Sequence, residues 1–409
     1  MLSTDEKIKR VGKVDIAVIV SSLNNASTIG FVIYQVAQGL RTFFPDKKSV
    51  IINVDGCSRD GCANVTRVIR LPVKKIVVRD ELCNGIGGKG AGVRTGMMIA
   101  SKLGAKAVAL VDSDLRSINP EWIKLLLGPI LEGHSEFISP YYHRYKYDGT
   151  ITNFIGYPMV RSLFGKRLRQ PIGGEVGFSG DFCGKALAHK LWDRPETAQF
   201  GIDFFLTGFA LGEQLNVSEA VLGVKVHDVK DPSKHLAPMF RQVMGSILNI
   251  IECYDDVWTE ISGSDALHRH RGSIRFSSPE PFDVDTNSMI NSFLGGRAEH
   301  MNTLKSVLPK DLYRDIASIP TMAEEFIFDS ELWTNVIYHL IPAYFSTPAE
   351  KKEDILDIVR HMWMGRVAYF TIESKDLNDR EAEHLIEEQS LIFEENKELL
   401  VELYRKARQ

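Results

Sequence analysis

Asp112-Ser113-Asp114 places two carboxylates one residue apart, directly after the apolar run 107–111. At the C-terminal end of a strand both can approach a divalent cation and the phosphates it carries, and oxygen ligands suit Mg²⁺ or Mn²⁺. Open α/β sheets bind their ligands at that edge. The same tripeptide also reads as a solvated acidic turn that caps the next helix. Gly85-Ile-Gly-Gly-Lys-Gly90 formally matches G-x-G-x-x-G, but it follows the third apolar run and not the first. The turn after the first run, Ser21-Ser-Leu-Asn-Asn25, has no glycine, which argues against a Rossmann dehydrogenase; Gly90 after Lys89, in place of Ser or Thr, excludes a Walker A loop. What survives is backbone N–H groups at a helix N-terminus with the Lys89 charge beside them, a combination that attracts phosphate. A flexible loop with a solvated lysine is the competing reading.

Further polar groups stand at run ends. Asp55-Gly-Cys-Ser58 offers a carboxylate and a hydroxyl to a base or ribose, or else a turn and an N-cap. Gln170-Pro-Ile-Gly-Gly-Glu175 and Gly201-Ile-Asp203 are glycine turns carrying acids, and His227 closes the run 221–226. A histidine there is either a structural hydrogen-bonder or a further ligand for the cation at Asp114. Other constellations fail: Cys57, Cys62, Cys83, Cys183 and Cys253 have no zinc spacing, and there is no G-x-S-x-G or H-E-x-x-H.

The elements that must position these groups alternate. Residues 16–22, 50–55, 75–79 and 107–112 read as strands; 28–44, a short segment through Val65 and Ile69, 91–103 and a segment opened by Pro120 read as helices. That order implies βαβ units, hence an α/β fold with a mostly parallel sheet covered on both faces. Residues 135–260 are less regular. From 300 onward the pattern is helical, over 304–316, 330–339, 349–374 and 379–409, and no repeat points to a solenoid. The expected division is 1–262, an excursion or linker at 263–299, and a helical domain at 300–409. Leu356, Val359, Trp363 and Val367 make an apolar stripe that needs a covering surface, from the first domain or from a second copy, so a homodimer or larger assembly is expected.

Composition narrows the classes. The 409 residues imply two or three domains at roughly 100–200 residues each. Lys plus Arg number 49 against 53 Asp plus Glu, a formal charge of −4, without the basic surplus of a nucleic-acid binder. No stretch approaches the roughly 18 apolar residues of a membrane helix. The charged opening has no apolar h-region, and five cysteines are sparse and odd in number, so a cytoplasmic protein with neither membrane nor nucleic-acid partner is expected.

Taken in order, Gly88-Lys-Gly90, Val111-Asp-Ser-Asp-Leu115, Gln170-Pro-Ile-Gly-Gly-Glu175, Gly201-Ile-Asp203, Leu222-Gly-Val-Lys-Val-His227 and Phe240-Arg-Gln-Val243 resemble the retaining GT-A glycosyltransferases, in particular the glucosyl-3-phosphoglycerate, glucosylglycerate and mannosylglycerate synthases. The resemblance spans 15–250. It implies a GT-A (Rossmann-like nucleotide-sugar-binding) domain over 1–262, a GDP-, UDP- or ADP-hexose donor, and Mg²⁺ or Mn²⁺ held by Asp114 and His227. Lys89 matches a diphosphate contact. Ser21, Leu23, Asn25, Asp55 and Ser58 match the nucleoside pocket, and Asp112, Ser113, Gly173, Gly174 and Glu175 the rest of the donor site. Asp203 lines the sugar and acceptor and, with Asp112 and Lys89, carries the catalytic assignment. The implied reaction retains anomeric configuration and joins glucose or mannose to the 2-hydroxyl of a glycerate, giving a compatible solute. Thr150 stands where the phosphoglycerate enzymes carry an arginine, so D-glycerate held by Arg144, Thr150 and Thr152 is the expected acceptor. Arg144, Lys146, Lys166 and Arg167 could instead form a phosphate site for 3-phosphoglycerate. A nucleotidyltransferase and a catalytically silent nucleotide-sugar-binding protein are the other classes; the glycine-free first turn argues against the former.

Overall fold

The computed structural model describes residues 2–80, 87–226, 236–274 and 278–409. Two compact units emerge. The first comprises Met1–His143, Leu168–Asp228 and Leu267–Pro279; the second comprises Arg144–Arg167, Val229–Ala266 and Glu280–Gln409.

Ten strands in chain order are β1 (Ile16–Ser22), β2 (Ser49–Asp55), β3 (Lys74–Arg79), β4 (Ala107–Asp112), β5 (Phe137–His143), β6 (Lys166–Arg167), β7 (Val176–Ser179), β8 (Val217–Val224), β9 (Asp265–Ala266) and β10 (Arg269–His270). In the first unit eight of them form one sheet of order β10-β8-β5-β7-β4-β1-β2-β3. Every pairing in it is parallel except those of β7, which runs antiparallel to both β4 and β5. The fold class is therefore α/β with a mostly parallel sheet. Central strands buried on both faces read as continuous apolar runs, as β1 does: Ile16 to Val20 are all within 1% of full burial.

Alternation divides the two faces. Ile16, Val18 and Val20 pack with Ile29, Val32, Ile33 and Val36 of the helix Ile29–Phe43 and with Trp122 and Leu126 of Pro120–Leu131. Ile19 faces the other way, onto the helix Lys89–Leu103, where a Cβ on Gly96 would lie 2.4 Å from Ile19 Cγ2. Only glycine lets that helix lie so close to the sheet.

The second unit is helical apart from the two-stranded β6–β9 pair. Its helices differ in detail from the periodicity. The run 304–316 divides into Met301–Val307 and Lys310–Ser318 because Pro309 supplies no amide to continue the first helix. The final run divides at Asn396 into Asp379–Glu395 and Lys397–Ala407. Residues 286–299, inside the expected linker, form a 14-residue helix, and Ala237–Cys253 groups with the helices and not with the sheet. Leu356, Val359, Trp363 and Val367 are buried within this chain, so that stripe offers no open face to a second copy. Among the described residues Cys62, Cys183 and Cys253 are free thiols. No helix among the described residues is long and apolar enough to cross a membrane.

Candidate active site

Parallel strands of the first unit deliver their C-terminal ends to one edge: Ser22, Asp55, Asp112, His143 and Val224, the last followed by Lys225. β7 runs the other way, with Val176 paired to Leu110, so the residues just before it arrive beside the end of β4. At Gly174 a Cβ would lie 2.0 Å from Asp112 Oδ2, and at Gly173 2.2 Å from Pro140 Cγ. Both glycines are thus required by close approach, and they set Glu175 next to Asp112.

Lys89 opens the helix Lys89–Leu103, and Asp203 lies in the first turn of Ile202–Gly212. The two helix starts are joined through the segment between them. Gly90 N–H donates to the Gln199 carbonyl (3.1 Å), and a Cβ on Gly90 would lie 1.8 Å from Thr197 O. This alters the expected role of the loop: the Gly90 amide is engaged by protein, and its glycine answers to packing. Gly85 and Ile86 lie outside the described residues.

The result is a row of alternating charge. Lys89 Nζ donates to Asp203 Oδ2 at 2.9 Å and lies 2.9 Å from Asp112 Oδ1. Lys225 Nζ lies 3.3 Å from Asp112 Oδ2 and 3.1 and 2.9 Å from the two Glu175 oxygens. The Tyr142 hydroxyl donates to Glu175 Oε2 and closes the row. Glu175 is fully buried, whereas the Lys89, Asp112 and Asp203 side chains keep 14%, 21% and 12% of their surface exposed. Ligand therefore has access to the Lys89 end of the row and not to Glu175.

Burial and pairing compete along this row. Burial acts to raise the Asp112 carboxyl, but the Lys89 and Lys225 ammonium groups outweigh it and hold it well below the usual carboxylate range. Burial acts to lower Lys89, yet Asp112 and Asp203 overcome it and keep the amine firmly cationic. At the two ends burial wins. Glu175 is raised despite Lys225, and Asp203 is pushed up to about 6, with Lys89 offsetting and the Asp112 charge adding to the rise. Asp112 serves to fix two cations, and Asp203 is the acid poised to change state near neutral pH.

Asp114 is half-buried and makes no hydrogen bond or ion pair among the described residues. The backbone just beyond it is fixed: Arg116 N–H donates to Val226 O and Val226 N–H to Ser117 Oγ, both at 2.9 Å. A hard divalent cation fits such an unengaged carboxylate, two residues along the chain from Asp112, whose partners Lys89 and Lys225 suit the phosphates it would accompany. His227, the other expected ligand, lies outside the described residues.

Hydrogen bonds tie the first strand turn to this acidic turn. Ser113 Oγ donates to Asn25 Oδ1 and Thr28 Oγ1 to Ser113 O, each at 2.8 Å; Leu23 N–H reaches Asn25 Oδ1 at 3.3 Å. Ser58 Oγ accepts from Asn24 N–H (2.9 Å), and Ser58 N–H donates to Asp55 Oδ2 (3.1 Å). Asn24 and Cys57 hold positive φ, 55° and 67°, one at each strand turn. Asp55 Oδ1 is buried with no hydrogen-bond partner among the described residues. A buried acceptor without a partner in a turn of this kind suits a donor from a nucleoside. Ser21 lies near the end of β1 and Leu23 just beyond it, 57% exposed.

Arg144, Thr150 and Thr152 belong to the second unit. Arg144 pairs with Asp148 at 3.2 Å; Thr150 and Thr152 are buried, and the Thr150 hydroxyl has no hydrogen-bond partner among the described residues. Lys146 is engaged, its Nζ donating to the carbonyls of Ser374, Lys375 and Leu377 at 2.7–3.0 Å. Sequence reading missed Lys225 and Tyr142 as site members. A signal existed: Lys225 is a lone cation at the end of an apolar run, and a buried lysine requires an acidic partner.

No family model matches the chain, and no curated protein matches it. Solved structures do resemble it. Glucosyl-3-phosphoglycerate synthase from Mycobacterium tuberculosis, in complex with Mn²⁺, uridine diphosphate and glucosyl-3-phosphoglycerate, aligns at 18% identity and a TM-score of 0.46, covering 62% of this chain and 85% of that one. Its uridine-diphosphate complex gives 20% and 0.47 over 62% and 85%. Mannosyl-3-phosphoglycerate synthase from Rubrobacter xylanophilus gives 18% and 0.44 over 62% and 78%.

Proposed function

We propose that this chain is a GT-A-type retaining hexosyltransferase that moves glucose or mannose from a nucleotide-sugar to the 2-hydroxyl of D-glycerate. The observation that carries this reading is the row Glu175–Lys225–Asp112–Lys89–Asp203 at the C-terminal sheet edge, continued along the chain by the unengaged Asp114 carboxylate. It joins what a departing nucleoside diphosphate requires: a fixed cation for its phosphates and an acidic turn for a metal.

Asp114, with His227, would hold Mg²⁺ or Mn²⁺. Bound there, the ion supplies Lewis-acid neutralisation of the charge that develops on the diphosphate. Lys89, held cationic by two carboxylates, donates to the same phosphates, and because its place is set in advance it costs little reorganisation at the moment of reaction. Asp55, Ser58 and the Ser21–Asn25 turn take the nucleoside. Asp203 borders the sugar and favours its oxocarbenium character by charge.

Retention follows from attack on the leaving-group face. The acceptor oxygen bonds to C1 as the bond from C1 to the phosphate oxygen breaks, and the hydroxyl proton passes to that oxygen. A double displacement through Asp203 or Glu175 is the less favoured alternative: Glu175 is buried with both its oxygens engaged, and Asp203 is paired with Lys89. The capping of Lys146 by three carbonyls leaves it unsuited to a second phosphate. Nucleoside diphosphate release, measured over GDP-, UDP- and ADP-hexoses against D-glycerate and 3-phosphoglycerate, tests the reading. A higher kcat/KM with D-glycerate is expected; preference for 3-phosphoglycerate would overturn the acceptor, and no turnover with any pair would overturn the function.

A further inference from the structure

Within the helical unit, Glu299, His300, Asp357 and His361 present four ligand atoms that all lie within 4.8 Å of one another. Asp357 and His361 are four residues apart on the helix Lys352–Glu373, so they share one face. Glu299 and His300 stand where the helix Thr286–Glu299 gives way to Met301–Val307. The helices meet closely here: a Cβ on Gly296 would lie 2.1 Å from His361 Cγ, so only glycine lets the imidazole sit where it does.

His361 is in an unusual state. Its Nδ1 lies 2.6 Å from the Ser292 carbonyl, which can only accept, so Nδ1 carries the proton. Its Nε2 lies 2.5 Å from Arg360 Nη2, a donor, so Nε2 carries none. Yet that lone pair also faces Asp357 Oδ2 at 3.3 Å, acceptor against acceptor. His300 Nε2 approaches the same oxygen at 3.2 Å. With bonds of about 2.0 Å the edge of a tetrahedral ligand set is about 3.3 Å, so both separations suit a shared ion. The surrounding contacts also match those of metal ligands. The far nitrogen of His361 donates to a backbone carbonyl, and Asp357 Oδ1 is held by Arg241 Nη2 at 2.5 Å and Arg360 Nε at 3.0 Å, leaving Oδ2 to the imidazoles.

We propose that His300, His361, Asp357 and Glu299 form a binding site for a first-row transition cation of the Zn²⁺ class, separate from the site at Asp114. Two imidazoles with two carboxylates select such an ion over Mg²⁺ or Ca²⁺. Arg360 Nη2 occupies the His361 lone pair when no ion is there and gives it up on binding, while the Arg360 Nε contact to Asp357 remains. The inference is independent of the glycosyl-transfer reading.

The test uses the full chain carrying Asp114→Ala, stripped with chelator and titrated with Co²⁺ in excess Mg²⁺. The expected result is one equivalent of Co²⁺ with the visible absorption of nitrogen-ligated cobalt, displaced by Zn²⁺. His300→Ala and Glu299→Gln, added singly, should weaken it by about 100-fold and about 10-fold. Thermal melting supplies a readout in which no site residue is changed: chelator should lower the Tm of the Co²⁺-loaded Asp114→Ala parent. No Co²⁺ absorption, absorption unchanged by His300→Ala, or a melting curve indifferent to chelator would each overturn the site.

Discussion

Replacing Lys225 with Met keeps the length and apolar body of the side chain and removes only its charge. The Lys225 side chain is 7% exposed, and its ammonium contacts both oxygens of a fully buried Glu175 and one oxygen of Asp112. Breaking a buried pair from one side costs about 3–5 kcal/mol. Asp112 keeps Lys89 and Glu175 keeps the Tyr142 hydrogen bond, so the lower end applies, about 3 kcal/mol at pH 8. At about 2–4 °C per kcal/mol for a unit of this size, the melting temperature should fall by roughly 6–12 °C. The sign of the pH dependence follows from Glu175. Its carboxyl is already raised from 4.5 by burial, and loss of Lys225 raises it further. A carboxyl raised in the folded state contributes its stability below the unfolded value and loses it as pH climbs through the folded one. The Lys225→Met deficit should therefore be small near pH 4.5 and grow toward pH 8. Lys225→Met/Glu175→Gln should recover about 2 kcal/mol, since no buried charge is then left unpaired. Melting curves of the three chains from pH 4.5 to 8 decide it. A single variant within about 1 °C of the parent, or a double variant no more stable than the single, would refute the charge row.

Two further substitutions probe the same edge. Asp203, raised from 3.8 to about 6, contributes its stability below 3.8 and loses it as pH rises through about 6. The stability of Asp203→Asn relative to the parent, read from melting curves, should thus climb between pH 4 and pH 7 by on the order of 2 kcal/mol; a flat difference counts against the assignment. Gly174→Ala would place a Cβ 2.0 Å from Asp112 Oδ2 and must displace that carboxylate. It should cost about 1–3 kcal/mol and lower turnover by at least about tenfold, and parent-like kinetics would show that Asp112 need not stay where it is.

Much of the sheet was legible because its strands are buried on both faces, so apolar runs mark them: Ile16–Ser22 and Ala107–Asp112 were bounded to the residue. β7 was not legible. Four residues, Val176–Ser179, are too short to show a period, and strand direction leaves no trace in composition. Its reversal is what sets Glu175 beside Asp112. The division into units was also hidden: Arg144–Arg167 leaves the sheet region to join the helices, and such long-range sorting is decided by packing and not by local pattern. Asp112, Lys89 and Asp203 were named from motifs, but their partnership spans more than 110 residues of chain and needed coordinates. Lys225 went unread because its role is defined by two acids distant in sequence.

The central claim is a divalent cation carried on Asp114 with the diphosphate it serves held by Lys89. Anomalous diffraction from crystals of the full chain soaked with Mn²⁺ and a nucleoside diphosphate measures this directly. The account predicts one Mn²⁺ peak within coordination distance of an Asp114 oxygen, bridged to phosphates that Lys89 Nζ also contacts, and no peak there in Asp114→Ala. A nucleotide bound at the sheet edge with its manganese on other residues, or a peak that survives Asp114→Ala, would contradict it.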